Sequence, residues 1–344
     1  KKELTMNKLT KIGVSALCGS LAAVSAAHAG SISVSGSAVA TYTSNEGTVT
    51  GNPIGMNSGL TFSGTGELDN GSTVTLTITH ADKAAYSSAD ITIATPSMGT
   101  FKIDQGAGGT GIDRYDDMIP TAWEETNGAG LGTGLRTVGG VSGSTAIDWK
   151  LPADMLPDGM GVALAVSPRA TGTAQNDKGS SGSTAEGTGM GYDIAVEHTG
   201  LYDGLKVFGG YSSIEQEAVA TAKGGDRQQY VLGATYAIGA TTIGYQWSKD
   251  DLNNDEGVTA YDNTAYGVSF SVNDDLAISY GRHDSDAVTQ GGTDVENSGE
   301  SLQISYTMGG ATFIIAENSV DNQNYVSTTT FDREGTTIRL SLAF

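Results

Sequence analysis

Five carboxylates, Asp113, Asp116, Asp117, Glu124 and Glu125, crowd one segment of this chain, and nothing beside them reads as a catalytic partner. Such acids can exchange protons with a substrate, hold a hard cation, or set a negative potential. With 39 Asp and Glu against 18 Lys and Arg, neighbouring carboxylates are expected, so they do not argue for catalysis by themselves. His80, His198 and His283 stand at neither metal-ligand nor triad spacing. The string Gly128-Ala129-Gly130-Leu131-Gly132-Thr133-Gly134 has the glycines of a phosphate loop, but no helix or lysine follows. Asp251, Asn253 and Asp255 place oxygen ligands at alternate positions, as calcium loops do, without the glycine and distal Glu of an EF-hand. They are a weak calcium candidate; a solvated acidic loop is the plainer reading. The expectation is no enzyme, no metal and no cofactor beyond a weakly bound calcium.

The ends of the chain restrict its compartment. Lys1, Lys2, Lys8 and Lys11 precede an apolar run from Ile12 to Ala27, and Ala27-His28-Ala29 has the small residues of a signal-peptidase site. That order predicts a secretory signal over 1–29, with Met6 as the start. The single cysteine, Cys18, lies inside it and follows Leu17 rather than the small residue that lipidation prefers. The mature chain then has no thiol, which excludes disulfides and Cys-based zinc sites. Residues 1–29 hold four of the 18 basic and one of the 39 acidic residues, so their removal leaves a net charge of −24. Such a chain does not suit nucleic acid as a partner.

Elements that could position the acids are strands. Glycine counts 49 and proline six, no helical period persists, and no later run of about 18 apolar residues could form a membrane-spanning helix. Instead, apolar side chains recur at every second position: Val74, Leu76 and Ile78; Tyr192, Ile194 and Val196; Tyr266, Val268 and Phe270; Ile338, Leu340, Leu342 and Phe344. Each run presents one apolar and one polar face. Sixteen strands are predicted, at roughly 31–43, 58–69, 72–82, 88–95, 98–104, 144–151, 160–168, 189–198, 203–213, 227–237, 240–249, 261–272, 275–284, 298–308, 311–319 and 335–344.

Short links such as Asn70-Gly71, Pro96-Ser97, Leu201-Tyr202, Gly239, Asn273-Asp274 and Gly309-Gly310 alternate with long ones near 44–57, 105–143, 169–188, 214–226, 250–260, 285–297 and 320–334. Short periplasmic turns alternating with long extracellular loops are the pattern of an up-and-down transmembrane barrel. An all-β, antiparallel barrel of one domain, residues 30–344, is therefore expected. In lipid every backbone polar group must be paired internally, so such a sheet has to close. Tyr42, Trp149, Tyr211, Tyr236, Trp247, Tyr280, Tyr306 and Phe344 fall near strand ends on the apolar phase, where aromatic girdles belong.

The signal, the opening strand Ser31-Ile32-Ser33-Val34-Ser35-Gly36, the sixteen runs and the ending Ile338-Arg339-Leu340-Ser341-Leu342-Ala343-Phe344 together resemble the general diffusion porins of Gram-negative bacteria, particularly the alphaproteobacterial type. The resemblance covers the mature chain. It implies an outer-membrane homotrimer, with Phe344 as the signal read by the barrel-assembly machinery. It also implies that the longest link, 105–143, folds into the barrel as a constriction. An acidic segment there would narrow an otherwise wide channel and make it locally negative. The family's counterpart is a basic group on the opposite wall, for which alternation nominates Lys102, Lys150, Lys206 and Arg339.

Passive passage of small hydrophilic solutes and ions, with cations preferred, is the functional expectation. Lipid, lipopolysaccharide, solutes and cations are the expected partners. An adhesin or loop-borne binding protein on the same barrel is one alternative, but it needs a convergent set of functional groups that is not legible. A secreted β-rich surface protein is another, and it needs a fixed short repeat that the chain lacks.

Overall fold

The computed structural model describes residues 30–46, 52–82, 87–170, 188–216 and 224–344. The expected signal over 1–29, with Met6 and Cys18, lies outside them, as does most of the links near 169–188 and 214–226. Strands β1 (Ser31–Asn45), β2 (Ile54–Glu67), β3 (Thr73–Ala81), β4 (Ser88–Ala94), β5 (Thr100–Gln105), β6 (Thr145–Lys150), β7 (Met160–Ser167) and β8 (Thr188–His198) form the first half. Strands β9 (Leu205–Gln216), β10 (Arg227–Ile238), β11 (Thr241–Asp251), β12 (Gly257–Ser271), β13 (Leu276–Gln290), β14 (Val295–Met308), β15 (Ala311–Asp321) and β16 (Arg333–Ala343) complete a closed ring.

Each strand pairs antiparallel with its sequence neighbours, and β16 returns to β1. The seam runs from Ser37 opposite Ala343 to Asn45 opposite Gly335. Gly36 and Phe344 then exchange backbone hydrogen bonds of 2.7 and 3.0 Å. A side chain at position 36 would strike the Phe344 ring, so glycine lets the terminal aromatic lie flat on the first strand. Two-residue turns close several pairs, with Gly239 and Gly309 both at φ 61°, which glycine adopts at little cost.

The apolar phase faces outward. Leu232 is 62% exposed, and Leu60, Phe62, Leu76, Ile91, Ile243, Phe270, Leu302 and Leu340 are also exposed. A band of bare aliphatic and aromatic side chains round the outside is what hydrocarbon requires and water would oppose. Tyr42, Trp247, Tyr306 and Phe344 are exposed on the same surface. Trp149 stacks on Phe101 and donates its indole N–H to the Met98 carbonyl at 2.7 Å.

Two links are shorter than their composition suggests. In place of loops at 250–260 and 285–297, β11 runs to Asp251, β12 starts at Gly257, and β13 and β14 stay paired out to Ala287 opposite Val295. Here the strands carry polar residues on both phases, such as Asp284-Ser285-Asp286. Backbone pairing continues after the apolar alternation has stopped, so periodicity ends the strand too early.

Candidate pore constriction

β5 and β6 are six residues each, and the chain between them, 106–144, turns into the barrel. At its root Lys102 donates to the Gly108 carbonyl at 2.6 Å and pairs with buried Asp104 at 3.3 Å. A 3₁₀ turn, Gly111–Tyr115, follows against β7, β8 and β9. The segment next passes over β11 and β12, and Ala122 donates its N–H to the Ser279 hydroxyl on β13 at 2.7 Å. Gln303 on β14 then holds it three ways: its amide oxygen accepts the N–H groups of Trp123 and Glu124, and its amide nitrogen donates to the Glu124 carbonyl. Asn318 on β15 reaches the Ala129 carbonyl at 2.9 Å.

The return arm retraces that wall. Asn297 donates to the Thr133 carbonyl at 2.9 Å, and Gln229 accepts from Gly139 and Gly140 at 3.0 and 2.7 Å. Asp193 on β8 joins the two arms, because one carboxylate oxygen accepts the N–H groups of both Ile112 and Val141, at 3.0 and 3.1 Å.

Packing explains the inward fold. Ile112, Tyr115 and Val138 are buried against Ala163, Ala195, Phe208 and Val231, which occupy the lumen phase of β7 to β10. The Tyr115 and Phe208 rings stack with centroids 4.9 Å apart. Each such side chain taken from water contributes about 1.5–3 kcal/mol. Further round, Gly244 and Gly267 face each other across β11 and β12. A Cβ on the first would strike Pro120 and on the second Ile119, so this glycine pair makes the shelf on which the loop rests.

The acids gather on this loop. Asp116, Asp117 and Glu125 line a cavity shared with Gln246, Asn263 and His283 on the barrel wall. Burial, then the charges of Asp113 and Asp117 and a hydrogen bond shared with Asp117, push the Asp116 carboxyl up to about 8. Burial and a hydrogen bond shared with Glu124 push Glu125 up to about 7. Asp113 is raised by burial too, although the Gly109 N–H and the Ser142 hydroxyl stabilise its charge. The loop therefore carries fewer charges near neutrality than its five carboxylates suggest.

The four nominated basic residues do not form one group facing the loop. Lys102 is tied to the loop root as described, on β5. Lys150 shares a lumen recess with Arg114, Tyr115 and Glu197, while Lys206 pairs with Glu197 at 2.9 Å. Arg339 lies over the Trp123 ring at 5.3 Å, on the loop itself. Alternation gives the face of a strand, whereas the route of the loop decides what lies opposite. Arg114 adds a further cation inside the loop, bound to Asp148 at 2.6 Å.

The calcium candidate is engaged differently. Asp251 accepts the Asn253 N–H at 3.1 Å and lies 3.8 Å from Lys249, and the Asn253 amide donates to the Asp226 carbonyl. Among the described residues no three His, Cys, Asp or Glu side chains gather as a metal set.

A closed sixteen-stranded antiparallel barrel has counterparts among solved structures. The family model for Gram-negative porins matches residues 13–324. The chain belongs to the Gram-negative porin family. No curated protein matches it in sequence. Salmonella typhi OmpF, solved with daunomycin, is similar at a TM-score of 0.67 and 14% identity over 91% of this chain and 97% of that one. The anion-selective porin of Comamonas acidovorans gives 0.64 and 12% over 92% and 100%, and Vibrio cholerae OmpT 0.63 and 13% over 92% and 98%. At such identities the likeness is one of fold.

This porin is thus an outer-membrane channel protein. The residues that seat its loop, Asp193, Gln229, Asn297, Gln303 and Asn318, carry no signature in sequence, because polar side chains on the lumen phase are ordinary in a water-filled barrel. One signal was available. Val207-Phe208 and Val231-Leu232 are apolar on both phases, which a purely aqueous lumen does not call for.

Proposed function

We propose that this porin passes small hydrophilic solutes and ions passively and prefers cations. The observation that carries the reading is the seated loop, which brings Asp113, Asp116, Asp117, Glu124 and Glu125 into the lumen while Lys102, Lys206 and Arg114 are each paired with an acid. A channel lined by excess negative charge concentrates counter-ions. The fold alone does not set the sign, since the Comamonas acidovorans relative is anion-selective on a similar barrel. The reading assigns no catalytic step and no resident cofactor.

A homotrimer is part of the proposal, and strand length supports it. β4 to β7 have seven, six, six and eight residues, whereas a tilted strand needs about 9–11 to cross hydrocarbon. That sector suits cover by protein rather than lipid. Phe344, hydrogen-bonded to Gly36 at the seam, would serve as the recognition end for the assembly machinery, and lipopolysaccharide would surround the tall strands.

The test is single-channel recording of the refolded mature protein in a planar bilayer under a salt gradient. Conductance steps in multiples of three with a cation-directed reversal potential are expected. An anion-directed potential would overturn the selectivity, and a silent bilayer from correctly refolded barrel would overturn the channel.

A further inference from the structure

The loop's contacts run from β5 round to β16, and those described above leave β1 to β4 bare. On β2, β3 and β4 the outward phase is apolar, with Leu60, Phe62, Leu76 and Ile91 exposed. The opposite phase is almost wholly hydroxyl. Thr61 stands opposite Thr79, Ser63 opposite Thr77, and Thr65 opposite Thr75, and Thr75 in turn faces Thr92. Two of these pairs are in hydroxyl contact, Thr65 with Thr75 at 3.3 Å and Thr61 with Thr79 at 3.5 Å. β1 to β4 contain no Lys or Arg, and their one lumen acid at this level, Asp90, accepts from Thr92 at 3.1 Å. The nearest cation, Lys102, is held by Asp104 and Gly108.

We propose that this hydroxyl face is the specificity surface of the channel, and that it favours neutral polyhydroxylated solutes of the sugar class. The inference rests on the channel reading above and adds the solute class. Threonine is stiff at χ1, so its hydroxyls are held in fixed positions. The sheet spaces them about 6.7 Å apart along a strand and about 4.8 Å across, a grid on which a polyol meets several partners at once. Each wall hydroxyl can donate and accept, so it replaces the water that a solute hydroxyl gives up. Contacts of this kind are weak and repeated, which permits entry without trapping. Because β1 to β4 carry no Lys or Arg, nothing on this wall draws anions.

The test is the triple variant Thr61→Val, Thr75→Val and Thr77→Val, in which each change keeps shape and strand preference while removing a hydroxyl. Refolded wild type and variant are compared for swelling of liposomes in a neutral sugar, swelling in an oligoethylene glycol of equal size, and potassium conductance. Sugar flux is expected to fall roughly two- to tenfold, the equivalent of about one net hydrogen bond, with glycol flux and conductance unchanged. Unchanged sugar flux would overturn the inference, and so would an equal fall in all three, which would mean simple narrowing. Should the triple variant not fold, Thr75→Val alone is read in the same way, with the same two results overturning it. A wild-type barrel that conducts nothing would remove the channel reading itself, so the two failures are distinguishable.

Discussion

Replacing Asp193 with alanine should loosen the constriction without disturbing the barrel. Asp193 is 2% exposed, and one of its oxygens accepts the N–H groups of Ile112 on the outgoing arm and Val141 on the returning arm. Loss of that acceptor strands two buried donors, each worth about 1–3 kcal/mol. Lumen water can reach the gap and recover part of this, so about 3 kcal/mol is a reasonable net figure, equal to about a hundredfold shift from seated to displaced loop. The anchors on β10, β14 and β15 remain, so the expected movement is at the loop root. Single-channel recording should show higher open-state noise and a larger cut-off for neutral solutes, while the barrel keeps its heat-modifiable migration. Asp193→Asn keeps one acceptor oxygen and should stay close to wild type. A quiet, wild-type channel from the alanine variant would refute the reasoning, as would equal damage from the asparagine variant.

Gly244→Val should push Pro120 off its shelf, and an enlarged cut-off with normal assembly checks this against an unchanged channel. Cation preference should rise with pH between about 6 and 9. Asp116, at about 8, and Glu125, at about 7, are neutral below those values and charged above them. Reversal potentials across that range test the direction, and Asp116→Asn with Glu125→Gln should flatten the curve. Arg339→Gln should free the Trp123 ring from a contact worth about 0.5–2 kcal/mol. Trp123 fluorescence, read in a Trp149→Phe, Trp247→Phe background, should then shift.

The barrel was legible because its physics is periodic. Tyr266, Val268 and Phe270 must face lipid together, and a two-residue repeat records that requirement along each strand. The same signal failed at Asp284-Ser285-Asp286, where β13 is polar on both phases: Ser285 is buried against Asn263 and Tyr325 rather than set beside an apolar partner, so pairing continues without the alternation. The loop was visible by its length and acids, but its anchorage was not. Asp193 and Gln303 look like any lumen side chain until a specific backbone N–H is set against them. Lys102, Lys150, Lys206 and Arg339 show the same limit, since alternation cannot report that Lys102 is spent on the loop root and Arg339 on Trp123.

One feature of the chain links the inside of this porin to its outside. Six residues of β5 rise only about 14 Å once tilted, whereas the fifteen of β12 or β13 rise about 35 Å. The chain therefore leaves β5 well below the rim and enters the lumen directly, at a height where Asp193 and the β7 to β10 apolar patch can receive it. A longer β5 would release the same sequence nearer the rim, out of register with the wall against which Ile112 and Tyr115 pack. The shortness that admits the loop also leaves the outer face of β4 to β7 too low to span lipid. Lengthening β5 and β6 together by two residues each should thus weaken both the constriction and the proposed homotrimer, two readouts with no contact in common.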